Sequence, residues 1–388
     1  MNNFPPLLDM LRDLIGTPSV SSVDPSMDQG NRAIIELLAN WLNDTGFQVE
    51  IMPLPGTTTK ANLIATLGSG AGGLVLSGHT DTVPYDEGKW TYDPFSLTEA
   101  DQRLYGLGTS DMKSFLALAL EASRELQAAD LKEPLILLAT ADEETSMAGA
   151  RALVDRARPR ARHAIIGEPT GLRPVRMHKG ILMESIHLQG RSGHSSDPSL
   201  GNSALEAMYT AIGAILTWRK ELQKNNRDPF FAVPVPTLNL GHIHGGDNPN
   251  RICPECELHI DLRPLPGMDL QELRGELHQR ILTSLQDIGI ETRFEALFEG
   301  VPAMETATDT PIVKLTERLT GHTAEAVAFA TEAPYLSQLG MDTVIMGPGD
   351  IDQAHQPDEY LALDRLAPTI DILKQLVDAI CIRGDPLI

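Results

Sequence analysis

The sequence predicts an α/β fold in which a smaller α+β module interrupts a domain built on a mostly parallel sheet. Up to about residue 170, helical patterns alternate with short, wholly apolar runs, which is typical of buried parallel strands. After residue 180 the strands become longer and alternate apolar with polar residues, and near Met304 helices and wholly apolar runs resume. A chain of 388 residues is also long enough for two hydrophobic cores.

The elements of the first domain follow from local patterns. The N-terminal stretch predicts an amphipathic helix that ends at Gly16. Apolar runs predict buried strands, and a segment rich in Leu and Ala after a Ser-Asp pair predicts a helix. The strands are expected at 74–76, 135–139 and 164–166, and the helix at 112–126.

The interrupting module is expected to contain long alternating strands around two helices, and the first domain then resumes. The alternating strands predict a sheet with one covered and one exposed face, which could pair with a second copy. The expected strands are 183–188 and 257–262, the helices 203–221 and 270–288, and the resumed domain has a helix at 311–319 and an apolar run at 343–346.

Composition excludes several classes of partner. The 31 Lys and Arg residues against 53 Asp and Glu residues give a net charge of -22, which repels nucleic acid and anionic lipid. Three cysteines cannot form a disulfide framework, so a cytoplasmic location is expected. The first residues do not resemble a secretion signal, and no run of about 18 apolar residues suits a membrane span.

Several motifs place polar side chains where strands end, which is where open α/β sheets bind their ligands. In LVLSGHTDTVP, His79 and Asp81 are two residues apart after a strand, so extended backbone would direct both the same way. His79 suits a metal ion, and Asp81 suits an acceptor for its other ring N–H. By itself, this motif is equally well interpreted as a turn with a local Asp cap.

Asp111, in YGLGTSDMK, lies at a helix start after two glycines, and by itself is better interpreted as a helix cap than as a ligand. A dinucleotide-binding interpretation is disfavoured, because the third glycine is missing and the segment does not directly follow a clear strand.

Three further motifs contribute acids and a histidine. In LILLATADEETSMAGA a strand leads directly into Asp142, Glu143 and Glu144, and three clustered acids repel one another and need a cation. Glu168 in AIIGEPT and His355 in GPGDIDQAHQPDEY also follow strands, and each alone would be interpreted as structural.

Two histidines and three carboxylates together form a mixed N/O donor set that suits zinc, with one carboxylate able to bridge two ions. Two Zn²⁺ against the charges of Asp111, Glu144 and Glu168 leave a net positive site, which lowers the pKa of bound water toward about 7. Glu143, next to a ligand but not needed as one, is the natural general base.

These motifs, with HKG and GRSGHSSDP, resemble a dizinc metallopeptidase family that includes acetylornithine deacetylases, succinyl-diaminopimelate desuccinylases, aminoacylases and glutamate carboxypeptidase. The resemblance runs essentially end to end and is greatest for the acetylornithine deacetylases. It implies hydrolysis of N-acetyl-L-ornithine to L-ornithine and acetate in arginine biosynthesis, by a homodimer with two Zn²⁺ per subunit for which Co²⁺ can substitute. It also implies a dizinc catalytic domain at 1–179 and 301–388, with a ferredoxin-like lid and dimerisation domain inserted at 180–300.

The resemblance also assigns roles to the metal-site residues. It implies one zinc on His79, Asp111 and Glu168, and a second on Asp111, Glu144 and His355. It makes Glu143 the group that deprotonates water and later protonates the leaving amine.

Outside this set, the resemblance implies that His194 reaches the neighbouring subunit's active site and steadies the oxyanion. It implies that Asn250 holds the substrate carbonyl and that Arg263 holds the α-carboxylate, for which a guanidinium fork is suited. Glu332, in ATEAPYL, is the candidate partner of the cationic substrate side chain, with a surface helix cap as an equal alternative.

Some features are not absorbed by this scheme. Ser114 stands where relatives commonly have glycine, which questions the local packing. The pairs His242 with His244 and Cys253 with Cys256 have no role in it, and CPEC lacks the second pair that a further zinc site needs.

Three alternatives stay open. One is a desuccinylase, and another is a broad aminoacylase or dipeptidase that shares the metal site. A third is a non-catalytic binding homologue. The intact ligand set together with Glu143 argues against this last alternative.

Overall fold

The computed structural model describes residues 4–43 and 45–384, and these form two compact units. The first unit comprises Met1–Arg176, Thr306–Glu325 and Thr331–Ile388, and the second comprises Met177–Glu305 and Ala326–Ala330. The boundaries expected at 179/180 and 300/301 therefore lie a few residues from those of the compact units. The short segment Ala326–Ala330, which belongs with the second unit, was not predicted from the sequence.

Both units contain α-helices and β-strands. The α-helices of the described residues are α1 (Leu7–Gly16), α2 (Arg32–Leu42), α3 (Lys113–Ser123), α4 (Ala148–Asp155), α5 (Ala204–Asn225), α6 (Leu270–Leu285), α7 (Pro311–Thr320), α8 (Ala333–Gln338) and α9 (Leu366–Val377). The strands are β1 (Gln48–Pro53), β2 (Ala61–Leu67), β3 (Leu74–His79), β4 (Thr98–Ala100), β5 (Arg103–Tyr105), β6 (Leu135–Thr140), β7 (His163–Ile166), β8 (Val175–His178), β9 (Leu182–Gln189), β10 (Thr237–Gly245), β11 (Glu255–Arg263), β12 (Glu291–Ala296), β13 (Met304–Glu305), β14 (Glu325–Val327), β15 (Asp342–Ile345) and β16 (Tyr360–Ala362).

The central sheet of the first unit is mixed, so the expectation of a mostly parallel sheet needs correction. Its strands belong to a nine-stranded sheet of order β1-β2-β6-β3-β7-β15-β8-β13, in which β14 also pairs with β8. The four middle strands β6, β3, β7 and β15 are parallel, whereas β1, β2 and β8 pair antiparallel with their neighbours. Every residue of β3, β6 and β7 is buried, in agreement with the apolar run that each strand contains. A small sheet of β16, β5 and β4 completes the strands of this unit.

The second unit has the chain order β9-α5-β10-β11-α6-β12. Its antiparallel sheet has the strand order β10-β11-β9-β12. Along β11, alternate residues are buried, as the sequence pattern indicated. Ile186, Leu258 and Ile260 pack with Trp218 of α5 and Ile281 of α6 in a core that belongs to this unit alone.

Within residues 4–43 and 45–384, no helix combines the length and the apolar character that a membrane crossing requires.

His163, the first residue of β7, provides a test of how the stability of the first unit depends on pH. Burial, and then the charge of Arg162, lower the pKa of its imidazole from 6.5 to about 4. The unfolded chain therefore takes up a proton between these pH values that the folded chain does not. The stability that this histidine contributes is complete above pH 6.5 and is lost as the pH falls toward 4, with a shift worth about 3 kcal/mol.

We expect His163→Gln to reduce the loss of unfolding free energy between pH 7 and pH 4 by about 3 kcal/mol, because its side chain does not titrate. Urea unfolding at both pH values measures this difference, with the exposed His322→Gln as the matched control. A pH dependence identical in parent and His163→Gln would contradict the assignment.

Candidate metal centre

Three parallel strands bring their following residues to one edge of the central sheet. His79 ends β3 and pairs in register with Thr140, the last residue of β6. Ser77 of β3 pairs with Ile166, the last residue of β7. The acids that follow β6 and β7 therefore start from the level of His79, which is why motifs far apart in sequence share one site.

Asp111 lies between two histidines. His79 Nε2 is 3.1 Å from Asp111 Oδ1, and His355 Nε2 is 3.6 Å from Asp111 Oδ2. Each oxygen of the carboxylate thus faces a different imidazole. Met112, and not Asp111, is the N-cap residue of α3, and it makes no side-chain cap hydrogen bond. The helix-cap interpretation of Asp111 is therefore wrong.

The remaining acids complete the cluster on either side. Glu168 Oε2 is 3.9 Å from His79 Nε2, and Glu144 Oε2 is 3.2 Å from His355 Nε2. Two groups of three residues have ligand atoms within 4.8 Å of one another and could hold a metal ion. These groups are His79 with Glu143 and Glu168, and His79 with Asp111 and Glu144.

Burial makes this cluster electrostatically unstable by itself. Burial, and then the charge of Glu168, raise the pKa of Glu143 well above its usual range. Burial also raises the pKa of Glu168 well above its usual range, although the charge of His79 opposes this. Burial and the charge of Asp111 raise the pKa of Glu144. Ionised side by side, these carboxylates would repel one another, and this repulsion favours a bound cation.

The pKa values of Asp111 and His355 shift in the directions that favour their charged forms. Burial alone would raise the pKa of Asp111, but the hydrogen bond from His79 and the charges of both histidines lower it. The hydrogen bond to Glu144 raises the pKa of His355 to about 9. The carboxylates thus require positive charge nearby, which a bound cation would supply.

The donor set fits divalent metal ions. Imidazole nitrogens and carboxylate oxygens are the ligands that zinc accepts, and Glu168 Oε1 is buried without a hydrogen-bond partner among the described residues. An unpaired carboxylate oxygen inside a protein is costly unless a cation or donor satisfies it. The site therefore has both the chemistry and the free acceptor that a metal ion needs.

The Asp81 side chain is not the acceptor for the His79 ring that the sequence predicted. His79 Nδ1 lies 2.9 Å from the backbone oxygen of Asp81, whereas the nearer carboxylate oxygen is 3.8 Å away. The Asp81 carboxylate instead accepts hydrogen bonds from the amides of Glu143 and Glu144, at 3.2 and 3.0 Å. The main chain orients the His79 ring, and the side chain orients the acidic loop.

Glu359 is a residue that sequence reasoning missed, although it lies in the AHQPDEY motif. Its carboxylate accepts hydrogen bonds from the amides of Gly108, Ser110 and Asp111, at 3.0, 2.7 and 3.0 Å. It thereby holds the glycine-containing loop that carries Asp111. The available signal was a further acid close to His355, which by itself does not indicate contacts with backbone amides.

Glu332 is buried at the start of α8, so the expectation of a surface helix cap is wrong. Thr140 Oγ1 donates a hydrogen bond of 2.8 Å to Glu332 Oε2, and Oε1 has no partner among the described residues. Burial raises the pKa of this carboxyl to about 7. Ser114, which replaces the glycine of relatives, is also buried without a hydroxyl partner in the described chain.

The other expected site residues lie in the second unit. His194 is exposed, and its Nδ1 is 2.7 Å from Ser196 Oγ. Asn250 is also exposed. Its backbone oxygen accepts a hydrogen bond from the amide of Ser195, the residue that follows His194. Arg263 donates from Nε to Asp261, at 2.9 and 3.1 Å.

The cysteine and histidine pairs of this unit stand apart from the metal centre. Cys253 and Cys256 are free, buried thiols. His242 and His244 are exposed on β10, and the ring of His242 lies 4.6 Å from that of His259 on the adjacent strand. Neither pair belongs to a group of metal-binding geometry among the described residues.

Comparison with known proteins agrees with this geometry. The family model for peptidase family M20/M25/M40 matches residues 75–379. An acetylornithine deacetylase from Edwardsiella ictaluri (strain 93-146) is 51% identical over 379 residues, which is 98% of this chain and 99% of the relative.

Solved structures share the fold at lower identity. Aminopeptidase PepT from Bacillus cereus ATCC 10987 superposes with a TM-score of 0.76 at 21% identity, covering 96% of this chain and 98% of that one. The Bacillus subtilis YXEP protein, described as a dinuclear metal-binding peptidase, superposes with a TM-score of 0.65 at 16% identity, covering 96% and 97%. From the match of the family model and the relative that is half identical over nearly its whole length, the chain belongs to peptidase family M20/M25/M40.

Proposed function

We propose that the chain hydrolyses N-acetyl-L-ornithine to L-ornithine and acetate, as a cytoplasmic enzyme of arginine biosynthesis. The observation that carries this proposal is the Asp111 carboxylate, whose two oxygens face His79 and His355 inside a cluster of buried acids. The substrate follows from the relative that is 51% identical over 98% of the chain. A small N-acyl amino acid, and neither nucleic acid nor membrane, is the expected partner.

Two Zn²⁺ per subunit are the proposed cofactors, and Co²⁺ is expected to substitute. His79, Asp111 and Glu168 would hold one ion, and Asp111, Glu144 and His355 the other. This assignment is supported by the position of Asp111 between the histidines and by the unpaired oxygen of Glu168. When bound, the ions supply positive charge that polarises the acyl carbonyl and lowers the pKa of a water molecule.

Glu143 is the proposed general base and acid. Its side chain is half-buried, and burial together with the charge of Glu168 raises its pKa, which is the direction that favours a group that accepts and returns a proton. It takes a proton from the attacking water and delivers that proton to the amine as the amide bond breaks. Asp81 is proposed to keep Glu143 in place, which is supported by its hydrogen bonds to the amides of Glu143 and Glu144.

Substrate recognition is proposed to use both charged ends of the molecule. Arg263 would bind the α-carboxylate, because its hydrogen bonds to Asp261 engage only Nε and leave the terminal nitrogens for an anion. Asn250 would hold the substrate carbonyl. Glu332 would accept the cationic side chain, which is supported by its unpaired Oε1.

Specificity tests this proposal directly. We expect N-acetyl-L-ornithine to be cleaved with a higher kcat/KM than N-succinyl-diaminopimelate or neutral N-acetyl amino acids. Glu332→Gln should lower kcat/KM for acetylornithine by about tenfold or more and leave acetylmethionine nearly unchanged, because only the first substrate carries a charge to pair. The exposed Glu87→Gln is the matched control.

Equal losses for both substrates would remove Glu332 from ornithine recognition and leave the reaction itself intact. A parent enzyme that prefers succinyl-diaminopimelate or acetylmethionine would overturn the proposed substrate.

The second unit is proposed to be a ferredoxin-like lid and dimerisation domain. Its βαββαβ chain order suits that fold, and β10 lies at an edge of its sheet. On α5 the side chain of Tyr209 is 82% exposed, and Ile243 of β10 is 55% exposed, which suits burial against a second copy. His194 is then free to act in the partner's active site.

Mixed dimers test this arrangement. His194→Ala and Glu143→Ala proteins should each be nearly inactive, whereas their mixture should regain up to about a quarter of parental activity. The recovery is expected because random exchange of subunits creates one complete site in half of the dimers. Subunit exchange is verified by mass spectrometry, and the unmixed proteins serve as controls. Exchange without recovery would count against action across the interface.

A further inference from the structure

A cavity of about 440 Å³ in the first unit lies at the start of β6 and is lined by an arginine-rich loop. The loop follows α4 and leads into β7, so it lies toward the amino end of the parallel strands. His79 and Thr140, by contrast, are the last residues of β3 and β6 and lie at the carboxyl end of these strands. The cavity is within the size range of small-molecule sites.

The loop concentrates positive charge in an acidic chain. Between residues 151 and 162 there are five arginines and one acid, in a protein of net charge -22. Arg156, Arg158 and Arg160 line the cavity. A helix C-terminus favours nearby cations only within its last turn, and α4 ends at Asp155, so this effect does not account for Arg158 and Arg160.

Two of these guanidinium groups are unpaired. Arg158 is 2.9 Å from Glu50, whereas Arg156 and Arg160 form no ion pair or hydrogen bond with any described residue through their side chains. Both are exposed at the mouth of the cavity. Planar guanidinium forks bind phosphate oxygens in pairs, so they are suited to an anion here.

The opposite wall supplies backbone donors. Ser69 and Gly70 belong to the glycine-rich segment 68–73 and line the same cavity, and their amides donate to no described residue. Gly68 and Gly70 have φ values of +83° and +115°, which glycine adopts without strain. Free amides in such turns form concave anion sites.

The floor of the cavity is apolar. Ile64, Ile136 and Pro134 contribute to it, and Thr66 of β2 pairs in register with Ile136 of β6. A ligand with only charged groups would leave this surface uncovered.

We propose that this cavity binds a phosphate-bearing small molecule, with the phosphate between Arg156, Arg160 and the amides of Ser69 and Gly70. Inorganic phosphate and the phosphate of a nucleotide share this chemistry. In the second case the base or ribose covers Ile64 and Ile136. The inference is independent of the reaction proposed above.

Titration calorimetry of the zinc-loaded enzyme with AMP and with inorganic phosphate tests the site. The double variant Arg156→Gln/Arg160→Gln is compared with the parent. The control Arg12→Gln/Arg32→Gln removes two other arginines of the same unit, of which Arg12 is exposed and Arg32 is half-buried. We expect the parent and the control to bind AMP with a Kd below about 1 mM, and the pocket variant to bind at least about tenfold more weakly. Turnover should be unchanged in all three.

Hydrogen exchange locates the bound molecule, since AMP should slow exchange in segment 68–73 of the parent and the control but not of the pocket variant. Tighter binding of AMP than of phosphate assigns the nucleotide, and equal binding assigns phosphate alone. Equal affinity in parent and pocket variant would place the anion elsewhere, for example on the metal ions, and would overturn the proposal. Absence of binding to the parent at several millimolar would overturn it as well.

Discussion

Replacing Glu143 with alanine is expected to lower kcat by roughly a hundredfold or more while the protein keeps its metal ions, because a general acid-base group contributes on this scale. Glu143 approaches the cluster from the acidic loop after β6, and the Asp81 carboxylate holds the amide of that residue. The backbone position therefore survives loss of the side chain. Steady-state kinetics together with metal analysis measure both effects.

Glu144→Ala is the matched control, since it removes the same type of side chain from the next residue. Its Oε2 is 3.2 Å from His355 Nε2, and we expect this variant to lose metal. If Glu143→Ala loses zinc and Glu144→Ala retains it, the roles of these two residues have to be exchanged. If both variants retain metal and full activity, neither role stands.

Asp111→Ala is expected to cause the largest loss, roughly a thousandfold or more in kcat/KM, because it removes the one carboxylate that faces both histidines. The parent, purified without chelator and supplied with zinc, should contain two ions per chain. Asp111→Ala should contain fewer than one. Elemental analysis gives the stoichiometry, and the exposed Asp309→Ala serves as the control.

Two results would contradict this second prediction. A parent that never exceeds one ion per chain under zinc or cobalt supplementation, yet is fully active, would exclude a two-metal reaction. An Asp111→Ala protein that still binds two ions would show that Asp111 is not their shared ligand.

The buried strands of the first unit could be predicted because sequence and environment match there. The strands β3, β6 and β7 are buried throughout, so their apolar runs are unambiguous. The direction of a strand is not encoded in its apolar pattern, and the antiparallel β1 and β2 were therefore not foreseen. Strands of three residues, such as β4, β5 and β16, are too short to show a period.

The candidate site could likewise be predicted only in part. His79, Glu144, Glu168 and His355 could be predicted to lie together because each lies at or after the end of a strand and has a side chain suited to metal. Contacts with the main chain could not be foreseen, since any residue offers the same amide and carbonyl groups. The carbonyl of Asp81 beside His79 and the amides that bind Glu359 are both of this kind.

Glu359 has a practical consequence for work with this enzyme. The loop that carries Asp111 is fastened by a carboxylate of the chain itself, through the amides of Gly108, Ser110 and Asp111. These hydrogen bonds are made within the chain and require no ion. We expect protein stripped by a chelator to retain this loop, so that zinc, cobalt and other ions can be compared by successive reconstitution of a single preparation.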